Sequence, residues 1–287
     1  MTRALRVHAV GSLALVEDLG RPGHAGVGVG RSGAADRAAL RQVNRVLAND
    51  EGAAEVEVTS GGLDVEVVGA GSWCCVTGAP CPVTVDGRDV GSHTVFFAGP
   101  GTRVRLGTPT AGLRSYLGVR GGVVSEEVLG SRSTDVMAGV GPRPLEVGDE
   151  LPLGTPGDRF PDLDTVPAPD LDGEVVLRAV RGPRDGWVRD VDALVTAAWE
   201  VTERSNRVGM RLGGHAFTPA RDEQLPSEGA WRGAVQVPPS GEPVLFLVDH
   251  PVTGGYPVVA VVVDADVDRA AQLRPGDTVR FRWVAAP

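Results

Sequence analysis

The stretch Val244–Val263, VLFLVDHPVTGGYPVVAVVV, places two short apolar runs on either side of a polar connector. Both runs are rich in β-branched residues, which predicts two buried strands. A plain hairpin needs a two-residue turn, whereas the connector Asp249–Pro257 has nine residues. It carries an acid, a His, two Pro, two Gly and a Tyr. A connector of this composition between two strands is typical of a functional loop on a β scaffold.

Similar short runs recur through the first half of the chain, separated by turns rich in Gly, Asp and Pro. This spacing predicts a mainly β protein, built as a sandwich or barrel. Chain-wide, Gly (40 residues) and Pro (22) are frequent, which also favours many turns over long helices. The predicted strands are Leu13–Val16, Glu55–Thr59, Leu63–Val68, Trp73–Thr77, Val83–Val85, Thr94–Phe97, Arg103–Leu106 and Ser115–Val119.

Few helices are predicted. The longest spans Ala34–Ala48, where four apolar residues share one face at spacings of three and four. Ser32 or Asp36 can cap its start. A shorter helix is predicted from Asp192, as N-cap, through Ala197.

The segment TPGDRFPDLDTVPAPDLD, residues 155–172, is polar, rich in Pro and Asp, and without periodicity. It is the best linker candidate. We therefore predict an N-terminal β-barrel domain over 1–155, a linker over 156–172 and a C-terminal β-barrel domain over 173–287.

Charge and composition exclude several classes of function. The net charge of −9 argues against a nucleic-acid surface, and no apolar run is long enough to span a membrane. The N-terminus lacks the features of a signal peptide, so a cytoplasmic location is the expectation. All 28 basic residues are Arg, and without Lys the chain cannot carry covalent biotin or a P-loop lysine.

The three cysteines are Cys74, Cys75 and Cys81. Neighbouring residues on a strand face opposite ways, so Cys74 and Cys75 are poor partners for each other in a disulfide or a metal site. We interpret all three as small core residues and predict no metal site.

The run GVGRSG, Gly28–Gly33, matches a dinucleotide-binding pattern but follows no apolar strand, which argues against that function. A Gly-rich loop entering a helix exposes N–H groups that favour anions, and Arg31 adds charge. A plain capped helix behind a flexible loop explains the same residues, and the sequence leaves both interpretations open.

Most of the polar residues that are candidates for a functional site lie between Ser205 and Tyr256. Asn206, Arg207 and Arg211 offer amide and guanidinium groups for a carboxylate or phosphate. The connector adds Asp249 as a base or amide ligand and Gly254-Gly255 as bare backbone that a ligand can approach. The remaining polar candidates are Glu228 in a turn, Gln236 at a strand end, and Thr253 and Tyr256 in the connector.

Several motifs together resemble one family, which comprises the second component of allophanate hydrolase and the C component of 5-oxoprolinase. It is also known as the carboxyltransferase domain A/B family. The motifs run in order from about Ala14 to Phe281. The resemblance implies two cyclophilin-like β-barrel domains and a smaller partner protein of related fold, the B component. The motifs are SGAADRAALRQVN, RSYLGVRGGV, LGSRST, SNRVGMRL, LPSEGAWRGAVQVPP, TGGYPVVA and AQLRPGDTVRF.

Carried over by position, the family motifs fall on Ser32, Gly33, Ala34 and Asp36, on Ser205, Asn206, Arg207 and Gly209, on Pro226–Gly229 and on Gln236–Pro239. The chain departs from the family where Met210 replaces a usual Tyr. Pro251 and Val252 also replace more polar residues, which leaves the exact substrate open.

The resemblance implies three functions. The first is ATP-dependent opening of 5-oxo-L-proline to L-glutamate, shared with the A and B components, where the ATP site is shared with a partner. The second is a carboxyltransferase role in a biotin-dependent urea or amide carboxylase. The third is a regulatory partner of a B component that resembles a kinase inhibitor. A short chain without a biotin carrier fits the first best, with a small lactam or amide as substrate.

For that function we expect Asp249, Glu228 and Arg207 to be catalytic. The residues expected to bind substrate are Asn206, Arg211, Gln236, Thr253, Gly254, Gly255, Tyr256, Arg31, Ser32 and Asp36.

Overall fold

A computed structural model describes residues 3–160 and 162–286. Met1, Thr2 and Pro287, at the predicted domain ends, and Pro161, in the predicted linker, lie outside the described residues. The described chain is mainly β, with twenty strands and three short α-helices, which confirms the predicted fold class. It divides into two compact units. The N-terminal unit comprises residues 3–21 and 32–171, and the C-terminal unit comprises residues 22–31 and 172–286. No helix within the described ranges is long and apolar enough to cross a membrane.

The N-terminal unit contains two sheets. The six-stranded sheet has the order β11-β1-β4-β9-β6-β7, and the five-stranded sheet has the order β2-β3-β10-β5-β8. Their strands are β1 (Arg3–Val10), β2 (Leu13–Glu17), β3 (Glu55–Thr59), β4 (Leu63–Gly69), β5 (Ser72–Gly78), β6 (Val83–Val85), β7 (Arg88–Asp89), β8 (Phe96–Ala98), β9 (Arg103–Leu106), β10 (Arg114–Val119) and β11 (Glu150–Pro152). Strands of both sheets contribute to one apolar core. In β4, for example, Leu63, Val65 and Val67 alternate inward, as a strand with one buried face requires.

Helix α1, Arg37–Val46, is the longest in the described chain and packs on the five-stranded sheet. It begins three residues later than predicted because Asp36 keeps an extended backbone and caps it, accepting a bond from Ala39 N at 2.9 Å. Gly118 permits this packing, since a Cβ there would lie 2.4 Å from Val43 Cγ2.

The cysteines lie in the core, as predicted. Cys74 belongs to the core of the N-terminal unit, whereas Cys75 packs with the residues of α1, so the two neighbours face opposite sides of β5. All three are free and buried, and burial raises the pKa of Cys75 to about 12.

Part of the predicted linker is bonded to the N-terminal unit. Val95 N donates to Asp164 O at 2.8 Å, and Val166 N donates to His93 O at 2.9 Å. Gln42 also donates to Pro167 O. This stretch is therefore an ordered strap on the unit, while the exact domain boundaries stay a prediction.

The C-terminal unit is a closed seven-stranded barrel in the order β12-β19-β16-β17-β14-β13-β20. Its barrel strands are β12 (Val175–Arg181), β13 (Trp199–Val201), β14 (Gly209–Gly213), β16 (Ala234–Gln236), β17 (Val244–Phe246), β19 (Val258–Val262) and β20 (Thr278–Trp283). Two further strands, β15 (Glu228–Gly229) and β18 (Thr253–Gly254), form a separate two-stranded sheet. Helices α2 (Ala193–Thr196) and α3 (Asp264–Ala270) complete the unit, and α2 follows Asp192 as predicted.

Both apolar runs around the connector form strands of this barrel, as predicted. They do not pair as a hairpin, because β16 lies between β17 and β19 and pairs with both. The connector therefore has to span the width of β16, which accounts for its length.

Candidate functional site

Two of the sequence-predicted polar residues, Arg211 and Gln236, lie on the outer face of the barrel. In the ladder of β14, β17 and β16, Met210, Leu245 and Val235 align and belong to the barrel core. The next aligned row is Arg211, Val244 and Gln236. Because strand residues alternate between faces, this row lies on the outer face.

A flap covers part of this outer face. Strands β15 and β18 pair, with Glu228 opposite Gly254 and Gly229 opposite Thr253. We call these strands and their flanking residues, 225–230 and 251–257, the flap. A small apolar cluster includes Ala230 from the flap together with Ala234, Phe246 and Val258 of the barrel. The two loops that the sequence analysis singled out, LPSEG and the connector, are therefore brought together.

Gln236 fastens the flap to the barrel. Its side chain is buried and donates from Nε2 to Tyr256 O at 3.0 Å. A Cβ on Gly254 would lie 2.5 Å from the same nitrogen, so a larger residue at this position would displace the Gln236 amide. Gly254 therefore leaves room for the bond that fastens the flap.

Arg207 and Asp249 form a buried ion pair. Arg207 Nε lies 2.8 Å and Nη2 3.3 Å from the two carboxylate oxygens of Asp249. The side chains are only 2% and 0% exposed. Asp249 N also donates to Arg207 O, so the pair joins the start of the connector to the loop before β14.

Glu228 is also ion-paired, but near the surface. Arg184 donates from Nε to Glu228 Oε2 at 3.1 Å and from Nη2 to the other oxygen. The hydrogen bond from Arg184 lowers the pKa of Glu228, so the carboxylate is a weak base near neutral pH.

The other predicted side chains of this unit are all exposed. Asn206 is exposed, and its side-chain oxygen accepts bonds from Val208 N and Gly209 N, which makes it a turn former. Arg211, Thr253 and Tyr256 are exposed.

A cleft of about 410 Å³ opens beside the flap. One lining segment is a short ribbon in which Val188 pairs with Pro219, and we call residues 187–189 and 218–220 the outer ribbon. Other lining segments are the flap residues 255–257, residues 221–225 and Val237–Pro239, just after Gln236. Trp187, Leu225 and Tyr256 make the lining largely apolar and aromatic. A cleft of this size and composition is typical of small-molecule sites.

The cleft coincides with the predicted substrate-binding residues only in part, and with none of the predicted catalytic residues. Gly255 and Tyr256 line it, whereas Asp249, Glu228 and Arg207 are not among the described residues that do. Sequence reasoning missed Trp187 and Arg184. The signal available was RGPRDGW, Arg181–Trp187, a polar turn that ends in an aromatic residue directly after a strand.

Ser32 and Asp36 belong to the other unit, and Arg31 is assigned to the unit of the barrel. At the start of α1 the backbone N–H groups are already used within the unit. Ala34 N donates to Asp18 O, Ala35 N to Glu57 and Asp36 N to the hydroxyl of Tyr116. Ser32 is buried and donates to Thr134 O. These contacts favour the plain capped helix over an anion site.

Comparisons with known proteins agree on one family. The family model "Carboxyltransferase domain, subdomain A and B" matches residues 27–283. The C component of the 5-oxoprolinase of Escherichia coli (strain K12) is 35% identical over 96% of this chain and 90% of its own length. The urea amidolyase of Saccharomyces cerevisiae is 28% identical over 97% of this chain, which corresponds to 16% of that protein.

Solved structures share the fold over nearly the whole chain. A crystal structure of TTHA0988 matches with a TM-score of 0.88 and 31% identity, covering 98% of this chain and 56% of that one. The Kluyveromyces lactis urea carboxylase matches with a TM-score of 0.90 and 28% identity, covering 98% of this chain and 27% of that one. The chain therefore spans little more than half of the first solved protein and about a quarter of the second.

Proposed function

Because the chain belongs to the carboxyltransferase domain, subdomain A and B, family, we propose that it is the C component of an ATP-dependent 5-oxoprolinase. The complex would open 5-oxo-L-proline to L-glutamate together with the A and B components, in the cytoplasm. The observation that carries this proposal is the end-to-end similarity to the C component of the Escherichia coli 5-oxoprolinase. In contrast, the chain matches only 16% of the length of the yeast urea amidolyase.

In this proposal the cleft beside the flap holds the lactam. The ring packs on Trp187 and Tyr256, and the backbone of Gly255 allows close approach to the ring amide. The Tyr256 hydroxyl supplies a polar contact that fixes the orientation of the ring. The cleft surface is mainly apolar, and residues 221–224 (Arg, Asp, Glu and Gln) add polar side chains, a combination that suits a small cyclic amide.

The three residues predicted to be catalytic take different roles in this proposal. The Arg207–Asp249 pair is buried, so we assign it the task of positioning the connector. Glu228 is engaged by Arg184 and has a lowered pKa, which makes it a poor acceptor for a proton from the ring nitrogen or a water. Neither carboxylate is therefore suited to act as the general base, which supports activity only in a complex.

ATP would supply the activation of the lactam carbonyl. The described residues do not fit a phosphate site at the start of α1, because the backbone donors there are bonded to Asp18, Glu57 and Tyr116. We therefore propose that the nucleotide is held by a partner protein.

The test is co-expression with the A and B components, followed by size-exclusion chromatography and an assay of 5-oxoproline-dependent ATP hydrolysis. We expect a stable complex that is active and a chain that is inactive alone. Tyr256→Phe in the complex should raise KM by up to about tenfold, the effect of one hydrogen bond. Asp164→Asn in the exposed strap is the control and should leave KM unchanged.

Separate elution of the chain and the B component at micromolar concentration would refute the proposal. A complex without ATP turnover would favour the regulatory role. The second candidate function, carboxyl transfer to urea or an amide, is supported by the match to the solved urea carboxylase. Turnover of urea with carboxybiotin, but not of 5-oxoproline, would establish it instead.

A further inference from the structure

The ion pair between Arg184 and Glu228 joins two segments that line the cleft, although neither side chain is among the described lining residues. Arg184 directly precedes the short 3₁₀ turn Asp185–Trp187, which leads into the outer ribbon. Glu228 lies in the flap strand β15. The pair therefore connects the segment that bears Trp187 with the segment that bears Gly255 and Tyr256.

The Arg184 end of this connection is anchored on the barrel. Arg184 N donates to Val258 O at 3.0 Å, and Gly182 N donates to Val259 O at 2.8 Å, both on β19. Trp187 N in turn donates to Arg184 O at 3.0 Å, and Ala220 N donates to Trp187 O. The backbone position of Trp187 is thus set by bonds that begin at Arg184, and its ring lies 5.4 Å from the guanidinium of Arg221.

The Glu228 end is less well anchored. The flap sheet consists of only two residue pairs, and Glu228 lies directly opposite Gly254. Segments with few backbone bonds open at low free-energy cost. The connector side of the flap is held by bonds from Gln236 to Tyr256 O and from Val237 N to Pro257 O, whereas at Glu228 the Arg184 side chain links the flap to the barrel.

We propose that Arg184 is a positioning residue, which holds the flap at a fixed distance from the outer ribbon and thereby sets the affinity of the cleft for its ligand. The identity of the ligand, a small lactam, rests on the proposed function, whereas the positioning role does not. The pair is about one third exposed, and exposed ion pairs contribute little to global stability. The expected effect is therefore on ligand binding and local geometry, not on folding.

The kinetic expectation separates this role from catalysis by Glu228. In the assembled complex, Arg184→Gln should raise KM for 5-oxoproline at least about fivefold and leave kcat within about twofold, since it removes a constraint on binding. Exchange of the two charges, Arg184→Glu with Glu228→Arg, should restore KM. If Glu228 were the general base, the exchange would abolish kcat, and that result would overturn the proposal.

A second measurement needs no activity. Acrylamide quenching of tryptophan fluorescence is compared for each variant with and without Trp187→Phe, so that the difference reports Trp187 alone. We expect Arg184→Gln to increase the quenching constant of Trp187 at least about twofold and the charge exchange to reverse it. Arg280→Gln is the matched control, because it removes a comparably exposed ion pair, with Glu174, away from the cleft lining.

The melting temperature, followed by circular dichroism, should stay within a few degrees of wild type in all variants. Equal quenching of Trp187 in Arg184→Gln and Arg280→Gln would overturn the positioning role. So would a rise in quenching that the charge exchange fails to reverse. Increased quenching together with a wild-type complex that does not turn over 5-oxoproline would support the positioning role and refute only the proposed function.

Discussion

Asp249 in the C-terminal unit and Glu55 in the N-terminal unit are both fully buried carboxylates, but their surroundings differ. Asp249 faces the guanidinium of Arg207. Glu55 accepts bonds from two neutral groups, Val119 N and the side chain of Asn49, each at 3.0 Å. Burial raises the pKa of Glu55 well above its usual value despite these bonds. Equal burial therefore leads to a charged pair in one unit and favours a neutral acid in the other.

Burial alone therefore does not indicate the role of a carboxylate. A buried ion pair has to keep both members, because removal of one leaves an uncompensated charge in the interior. A buried acid among neutral donors can instead take up a proton. Asp249 and Glu55 should accordingly respond to substitution in different ways, and stability should depend on pH through Glu55.

The largest effect is expected for Arg207→Ala. This change leaves the Asp249 carboxylate buried without its guanidinium partner, and we expect a loss of about 3–5 kcal/mol in the free energy of unfolding. Urea denaturation followed by circular dichroism measures it. Arg204→Ala is the matched control, because it removes an exposed ion pair, with Glu242, from the same barrel. Equal stability of the two variants would show that the buried pair does not hold the connector.

The next effect concerns pH. Above about pH 4.5, the usual value for Glu, the unfolded chain loses the Glu55 proton while the folded chain retains it. Stability then falls by about 1.4 kcal/mol per pH unit until the raised pKa of the folded state is reached. Glu55→Gln cannot ionise, so its stability relative to wild type should rise with pH over this window.

Parallel urea titrations of wild type and Glu55→Gln between pH 5 and 8 give this difference directly. Other groups titrate in both proteins and largely cancel. A difference that is constant with pH would mean that Glu55 is ionised in the folded state, and the contrast with Asp249 would disappear.

The sequence was informative wherever local pattern determines structure. Alternation and β-branched runs predicted eight of the eleven strands described in the N-terminal unit and the two strands that flank the connector, and the spacing of Leu40, Val43 and Leu47 predicted α1. The long connector was correctly singled out, since it has to pass over β16. The local sequence pattern could not predict ion pairs between residues that are far apart in the sequence. Arg207 and Asp249 are 42 positions apart, and Arg184 and Glu228 are 44.

For the same reason, the sequence indicated Asp249 as a base or amide ligand rather than as half of a buried ion pair, and it did not single out Arg184. Local composition does not reveal whether a polar loop residue ends at the surface or under a flap. The roles predicted for the individual site residues stay predictions, and the ion pairs show which experiments distinguish positioning from catalysis.

The smallest effect tests a third buried carboxylate, Asp36, whose side chain accepts from Ala39 N at the start of α1. If its main role is that of a helix cap, Asp36→Ala should cost about 1 kcal/mol, because a backbone donor of the first turn loses its partner. Asp36→Asn should cost much less, since Asn caps helices as well as Asp does. Urea denaturation of the two variants measures the comparison, and 5-oxoproline binding by the assembled complex should change in neither. Equal destabilisation by Asn and Ala would mean that the negative charge matters rather than the cap. Loss of binding in both would instead restore the helix start, with Arg31 and Ser32, as part of the substrate site.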